Sequence, residues 1–270
     1  QCWGSISVVA SAFRMSINQH MILELDVGNS RIKWRLLAAG DLAVVKAGHV
    51  PGFDELQRVT ELDAAITLAR MSSVRGGDVN RRLEDWIRAK YSVALVQASV
   101  TQSCGGVTNQ YADVSRLGID RWLAMLAAYR RAGGACMVID SGTALTIDVV
   151  DAQGLHLGGH IIPGLRLMYG SLESNTAIRL SDNYSAYSQS LGHSTDEAVF
   201  NGTVTALLAT IKQQSESLAR VGDVEIYFAG GDAELLHGLA GLDRSEIVTS
   251  LVFDGLDVAC PHPDSNPRRF

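Results

Sequence analysis

One pattern occurs twice in this chain. Met21-Ile-Leu-Glu-Leu-Asp26-Val-Gly28-Asn29 and Cys136-Met-Val-Ile-Asp140-Ser-Gly142-Thr143 are each an apolar strand that closes on Asp-X-Gly-(Asn/Thr) and leads into a second strand. Asp140 follows Asp26 by 114 residues. That period is too long for a solenoid and matches one small domain, so it predicts two similar α/β halves facing each other across a cleft. A chain of 270 residues is long enough to bury a sizeable core.

The surrounding segments fit that plan. MILELDVGNSRIKWRLLAAGDLAVVKAGHV reads as a three-stranded antiparallel meander with turns at Asp-Val-Gly-Asn-Ser and Gly-Asp. AITLARMSS and Val93–Ala98 read as further strands, with a helical pattern over Asp78–Lys90 between them. Asp120–Ala132 places apolar residues at helical spacing behind an acidic start. A long helix is expected over Asn201–Gln214, then a short buried strand over Val224–Phe228 that ends at Ala229-Gly230-Gly231-Asp232, then a helix over Ala233–Leu239. Residues 1–20 read as an extension outside the fold. CPHPDSNPRRF holds three of the chain's five prolines and reads as a frayed tail.

Composition removes several classes of function. With 47% hydrophobic and 19% charged residues the chain is not a disordered tail protein. A net charge of −6 offers no broad electrostatic footprint for nucleic acid or an anionic membrane. Scattered arginines and aromatics supply no stacking platform for single strands. Cys2, Cys104, Cys136 and Cys260 lack the paired spacing of a zinc site or redox motif, so a reducing cytoplasm is the expected compartment. The opening residues lack the basic start and long apolar run of a secretory signal, and no apolar stretch reaches spanning length.

Neither a G-x-x-x-x-G-K-[ST] loop nor a G-x-G-x-x-G loop is present. The paired hairpins offer another way to hold phosphate: glycine tolerates positive φ, the turn aims backbone N–H groups outward, and a nearby hydroxyl adds a donor. Within Asp26-Val27-Gly28-Asn29-Ser30-Arg31-Ile32-Lys33 stand an acid for a hydrated Mg²⁺, amide and hydroxyl donors, and two cations. A single such turn is what any β-meander uses. Its recurrence points to a ligand. His156 and His160 stand four apart, but Gly158 and Gly159 lie between them in a strand-like run, so zinc is not expected there.

DVGNSRIKW, LGIDRW, DSGTALTIDVV, LGGHIIPGL and SNTAIRL, in that order, resemble the type III pantothenate kinase family over roughly Met21–Leu251. The resemblance implies an α/β fold of duplicated ribonuclease-H-like (actin-like ATPase) domains with ATP in the interdomain cleft. The N-terminal domain is then 21–119 and the C-terminal domain 120–255, flanked by the extension at 1–20 and a tail at 256–270.

The same resemblance implies transfer of the ATP γ-phosphate to pantothenate, the first step towards coenzyme A. Asp26 to Lys33 would form the first phosphate loop (Asp26, Val27, Gly28, Asn29, Ser30, Arg31, Ile32 and Lys33), with Asp26 holding Mg²⁺ through water. Thr143 would contact the nucleotide phosphates, and Asp140 would bind a monovalent cation, K⁺ or NH₄⁺. Asp120 becomes the general base. Gly118, Ile119 and Arg121 would flank it at the substrate, and Tyr111 and Thr176 would line the pantothenate pocket. Ala229–Asp232 resembles an adenosine-side loop, and LGGHIIPGL a structural signature. A homodimer is implied, each pocket completed by the partner subunit; the apolar residues of Trp122–Tyr129 serve either that interface or the interior.

Each residue also has a plainer reading: Asp120 as a helix cap, Arg121 as a surface ion pair, Asp140 as a turn cap, Tyr111 as core, Thr176 as helix surface. Rival functions are a non-catalytic regulatory accessory factor with the same fold, a kinase of another small alcohol, or a phosphatase of the same superfamily.

Overall fold

The computed structural model describes residues 20–181, 186–220 and 222–261. Most of the expected extension and tail therefore lies outside the described residues. β1 (Met21–Val27), β2 (Ile32–Ala38) and β3 (Val44–Val50) form the expected antiparallel meander. Every residue of β1 is buried, because layers cover both faces of this strand, and MILELDV accordingly lacks the alternation of a half-exposed strand. After the short α1 (Phe53–Leu56) come β4 (Ile66–Ser73), α2 (Gly77–Tyr91) and β5 (Leu95–Gln97). β4 runs parallel to β1 and β5 parallel to β4, so the sheet order is β3-β2-β1-β4-β5. A small hairpin, β6 (Ser103–Cys104) and β7 (Val107–Thr108), leads to α3 (Ile119–Ala132).

The second copy repeats this layout. β8 (Cys136–Ser141), β9 (Ala144–Val150) and β10 (His156–Pro163) are its meander; α4 (Leu165–Asn175) and α5 (Thr195–Ala219) lead to β11 (Glu225–Ala229). α6 (Ala233–Ala240), β12 (Ser245–Ile247) and α7 (Leu251–Ala259) complete it. The order β10-β9-β8-β11-β12, with the same parallel and antiparallel pairings, makes the duplication explicit.

α3 and α7 each follow the last strand of a copy and pack against one another. Gly255 of α7 meets the Leu123 backbone of α3 so closely that no Cβ would fit. Two outer cores lie beneath α2 and beneath α5 and α6, and a third surrounds α3. α3 starts with Asp120 in its first turn, carries Arg130 and Arg131 in its last, and stops at Gly133 with φ +63°. These are the charge bias and the left-handed cap that favour a helix of this length. Trp122 to Ala128 are all buried inside the chain, which removes them from any contact between subunits.

The inner face of the first sheet is ionic. Glu24, fully buried on β1, is paired with Arg35 of β2 and Arg70 of β4, and these reach Asp254 and Asp257 of α7. This pairing explains how a charged strand residue can face the interior.

α5 begins at Thr195 rather than Asn201, because the Ser194 hydroxyl accepts the Glu197 N–H at 3.2 Å and Val199 and Phe200 are buried. α4, β12 and α7 were not expected from the sequence. Residue 255 falls inside α7, and Leu256 beyond it is fully buried.

Candidate active site

The two repeated hairpins meet. In the first, the Gly28 N–H bonds the Arg31 carbonyl at 3.1 Å; in the second, the Gly142 N–H bonds the Ala144 carbonyl at 3.0 Å. Ser30 Oγ and Thr143 Oγ1 lie 3.3 Å apart. Both hairpins border a cleft of about 650 Å³ between the two copies, and Asp26, Asp120, Arg121, Asp140, Asp148, Gly230 and Gly231 line it as well. The cleft that the repeat predicts is thus present, and Asp26 and Asp140 share it.

Its charge is set by Lys33 and Arg31 against Asp26, Asp120 and Asp140, with Arg121 balanced by Asp148. Lys33 Nζ lies 3.5 Å from Asp26 Oδ2. Burial pushes the Asp26 carboxyl above its ordinary value, Lys33 opposes that, and Asp120 adds to it. Burial raises Asp140 to about 6, again with Lys33 opposing and with Asp120 and Asp26 adding. Burial and the mutual repulsion of these carboxylates make the pocket one that an added cation would relieve. Among the described residues no group of three His, Cys, Asp or Glu is placed to cage a metal alone. The donor set fits Mg²⁺, which keeps several waters and completes its shell with substrate phosphates.

Asp120 occupies the second position of α3, where its Oδ1 accepts the Arg121 N–H at 2.9 Å. A Cβ on Gly118 would stand 2.7 Å from that same oxygen. Glycine is therefore required for the carboxylate to turn back over the helix start. Arg121 is only 7% exposed. Its Nε and Nη2 donate to Asp148 Oδ2 and Oδ1 at 2.8 and 2.6 Å, and its Nη1 donates to the Tyr111 hydroxyl at 3.0 Å. Burial disfavours the guanidinium charge, but the bonds to Asp148 and Tyr111 outweigh it and leave Arg121 above its ordinary value. It is an interior residue that reaches the cleft, not a surface ion pair.

Several supports could not be read from the sequence. Arg75, just after β4, donates to the Gly28 and Asn29 carbonyls at 2.8 Å each and so braces the first hairpin from below. Ser141 ties the second hairpin to the Ala229–Asp232 turn: its hydroxyl donates to the Ala229 carbonyl at 3.0 Å, and its carbonyl accepts the Asp232 N–H at 3.0 Å. Gly230, at φ +92°, leaves room for Asp140 Oδ1, which a Cβ would approach to 2.7 Å. In LGGHIIPGL, a Cβ at Gly159 would crowd Asp148 and Arg121, while the Gly164 N–H bonds the Thr143 carbonyl at 3.1 Å. That signature packs against Asp148 and Arg121 and against the second hairpin.

The other expected site residues divide. Asn29, Ser30, Arg31 and Lys33 line the cleft with Gly28. Val27, Ile32 and Ile119 are core residues that contribute backbone only. Tyr111 stands behind Arg121, stacked on His156 with ring centroids 5.8 Å apart. Thr176 is not among the cleft-lining residues. Its hydroxyl donates to the Leu172 carbonyl at 2.6 Å and accepts the Ile178 N–H, finishing α4 on an exposed surface.

Twin five-stranded sheets of this order, each with a glycine hairpin and a strand-end acid opening on one cleft, define a duplicated α/β fold with its site between the copies. Solved structures share the fold. One described as a Baf family transcriptional activator from Campylobacter jejuni aligns with TM-score 0.58 and 21% identity, covering 87% of this chain and 95% of that one. A 2-dehydro-3-deoxygalactonokinase structure from Sinorhizobium meliloti aligns with TM-score 0.53 and 15% identity, covering 87% and 97%. The sequence narrows the class: residues 22–217 match the type III pantothenate kinase family. Type III pantothenate kinases of Pseudomonas savastanoi pv. phaseolicola and Azotobacter vinelandii are 43% and 41% identical, covering 89% and 90% of this chain and 99% and 100% of those proteins. The chain belongs to the type III pantothenate kinase family.

Proposed function

We propose that this protein transfers the γ-phosphoryl group of ATP to the primary hydroxyl of pantothenate, giving 4′-phosphopantothenate, the first step towards coenzyme A. The observation that carries the reading is the convergence of Asp26, Asp120, Asp140 and Lys33 on one cleft beneath two facing hydroxyl-bearing hairpins. A chain that kept the fold only to serve as a regulator would have no use for three buried or half-buried acids in one cleft.

In this reading the backbone N–H groups of both hairpins, with Ser30 and Thr143, donate to the triphosphate, and Lys33 offsets its charge. Asp26 would hold Mg²⁺ through water, and that ion would supply neutralisation of charge on the phosphate oxygens. Asp140 would hold a monovalent cation. Asp120 orients the pantothenate hydroxyl and accepts its proton. Phosphoryl transfer passes through a loose transition state, so orientation and charge neutralisation matter more than a strong base, and a carboxylate is sufficient. Arg121, with Gly118 and Ile119 beside it, faces the acceptor, and Tyr111 holds the guanidinium from behind.

The homodimer belongs to this proposal too. β10 is an edge strand, and Leu157 and Ile161 on it, with Leu167 and Leu172 on the adjacent α4, are exposed. Exposed apolar side chains of that kind suit burial against a second copy. Thr176 at the end of α4 is then assigned to a pocket completed across that contact. No described helix is long and apolar enough to cross a membrane, in keeping with the proposed cytoplasmic setting.

The test is ADP release from purified protein with Mg²⁺-ATP, with and without pantothenate, and with K⁺ exchanged for Na⁺. Pantothenate-independent turnover defeats the substrate assignment. Sedimentation showing monomers alone at working concentration defeats the dimer.

A further inference from the structure

Arg121 is held by a closed ring of side chains. Both oxygens of Asp148 on β9 accept from its guanidinium, and Tyr111 accepts from a third N–H group. Asp148 Oδ1 is shared: it lies 3.0 Å from Nε2 of His156 on β10. The His156 ring stacks on Tyr111 with an interplanar angle of 15°, which returns the chain of contacts to Arg121. His156 is fully buried and Asp148 is 1% exposed.

The hydrogen-bond ledger of this ring gives each member a direction. A carboxylate oxygen only accepts, so Nε2 of His156 presents its hydrogen to Oδ1. Nδ1 has no partner. A guanidinium has five N–H groups, of which three are bonded here; the remaining two have no protein partner among the described residues. Arg121 itself lines the cleft. Its charge is balanced by Asp148, so what it offers a ligand is a fixed pair of donors rather than net positive charge.

The geometry points to Asp148 and His156 as positioning residues: they fix the plane of the Arg121 guanidinium so that its two unpaired N–H groups meet the acceptor substrate. This rests on the reading above that Arg121 faces the acceptor. Asp148 alone would leave the carboxylate free to rotate about its own bond. The His156 hydrogen bond, with the ring wedged against Tyr111, removes that freedom. Arg121 then needs no reorganisation on binding, which is how a second layer of side chains contributes to orientation.

A double-mutant cycle tests this. His156→Phe keeps an aromatic ring against Tyr111 but removes the donor; His156→Gln can restore a donor to Asp148. Both are compared in the wild-type and Arg121→Ala backgrounds, with kcat and KM for pantothenate and for ATP measured separately, and with thermal unfolding of each variant. The expected result is a loss in kcat/KM for pantothenate of about 10-fold for His156→Phe, in the range of coupled neighbours. KM for ATP is expected to be unchanged, His156→Gln to recover most of the loss, and the effect of either variant to vanish once Arg121 is alanine. Equal losses in both backgrounds, or a loss confined to ATP, overturn the positioning role. If His156→Phe does not fold, Asp148→Asn takes its place in the same cycle: a loss of pantothenate efficiency that persists in the Arg121→Ala background overturns the proposal, and one that disappears there supports it. Arg121→Ala with undiminished pantothenate efficiency overturns instead the assignment of Arg121 to the acceptor.

Discussion

Ser30 Oγ and Thr143 Oγ1 stand 3.3 Å apart although their hairpins belong to different sheets. The contact joins the two walls of the cleft through equivalent hydroxyls, one from each copy of the repeat. If both serve one triphosphate, each alanine variant loses a hydrogen bond to a charged group. A drop of roughly 10-fold or more in kcat/KM for ATP is expected from each, with KM for pantothenate little changed. Initial rates over a range of ATP concentrations check this; two variants with native ATP dependence would remove the hairpins from the nucleotide site.

Asp120→Asn keeps the shape of the helix start and removes the proton acceptor. kcat should fall by about 10² or more, the usual range for a general base, while nucleotide binding survives. Gly118→Ala should imitate part of this loss, because its Cβ would come within 2.7 Å of Asp120 Oδ1 and displace the carboxylate. Full activity in Asp120→Asn would reduce the residue to a helix-terminus charge.

Asp140 sets function against stability. Burial raises its folded value to about 6 from 3.8, so the folded state binds the extra proton between those values. The group therefore destabilises the fold at neutral pH, and the penalty fades as pH falls from about 6 to about 4. Asp140→Asn should stabilise the ligand-free protein at pH 7.5 by up to about 3 kcal/mol, with little difference at pH 4, while activity and its dependence on K⁺ are lost. Unfolding curves at both pH values decide; a less stable variant at pH 7.5 contradicts the prediction.

Arg75 braces the first hairpin through the carbonyls of Gly28 and Asn29. Arg75→Ala frees that turn, and KM for ATP should rise by about 10-fold, the worth of one or two charge-assisted hydrogen bonds. Titration with a nonhydrolysable ATP analogue gives the same comparison without turnover. Unaltered affinity would mean the hairpin holds its shape unaided.

Glu24→Gln probes the buried ionic face between the first sheet and α7. It would leave Arg35 and Arg70 short of one counter-charge in the interior. A loss of about 3–5 kcal/mol is expected, visible in urea unfolding, and it should exceed that of Arg88→Ala, whose partner Glu84 lies on an exposed helix face.

What could be read in advance, and what could not, follows the range of the forces involved. The strand ends at Asp26 and Asp140, the glycine turns and the α3 start are local: a few adjacent residues suffice to make them, and their repetition exposed the duplicated plan. α7 stayed hidden because its buried residues, Leu251, Phe253, Gly255 and Leu256, have meaning only against α3 and the first sheet. Arg75 gave no signal because its partners, the Gly28 and Asn29 carbonyls, come from another segment. Asp148 stands inside DSGTALTIDVV and His156 at metal-ligand spacing from His160, yet neither points to Arg121, because that tie forms only in the fold. Thr176 carried a family resemblance in its neighbouring residues, yet its hydroxyl is spent on the end of α4.

From the chain alone came two α/β halves, two glycine hairpins and a third acid at a helix start, since turn and strand preferences act over a few residues. The packing of the two sheets about α3 and α7 decided the rest: that the hairpins touch, that Lys33 and Arg31 must answer three acids, and that Arg121 lies inside a ring of buried partners. Those relations depend on desolvation and close contact between distant segments, which exist only once the halves have closed on each other.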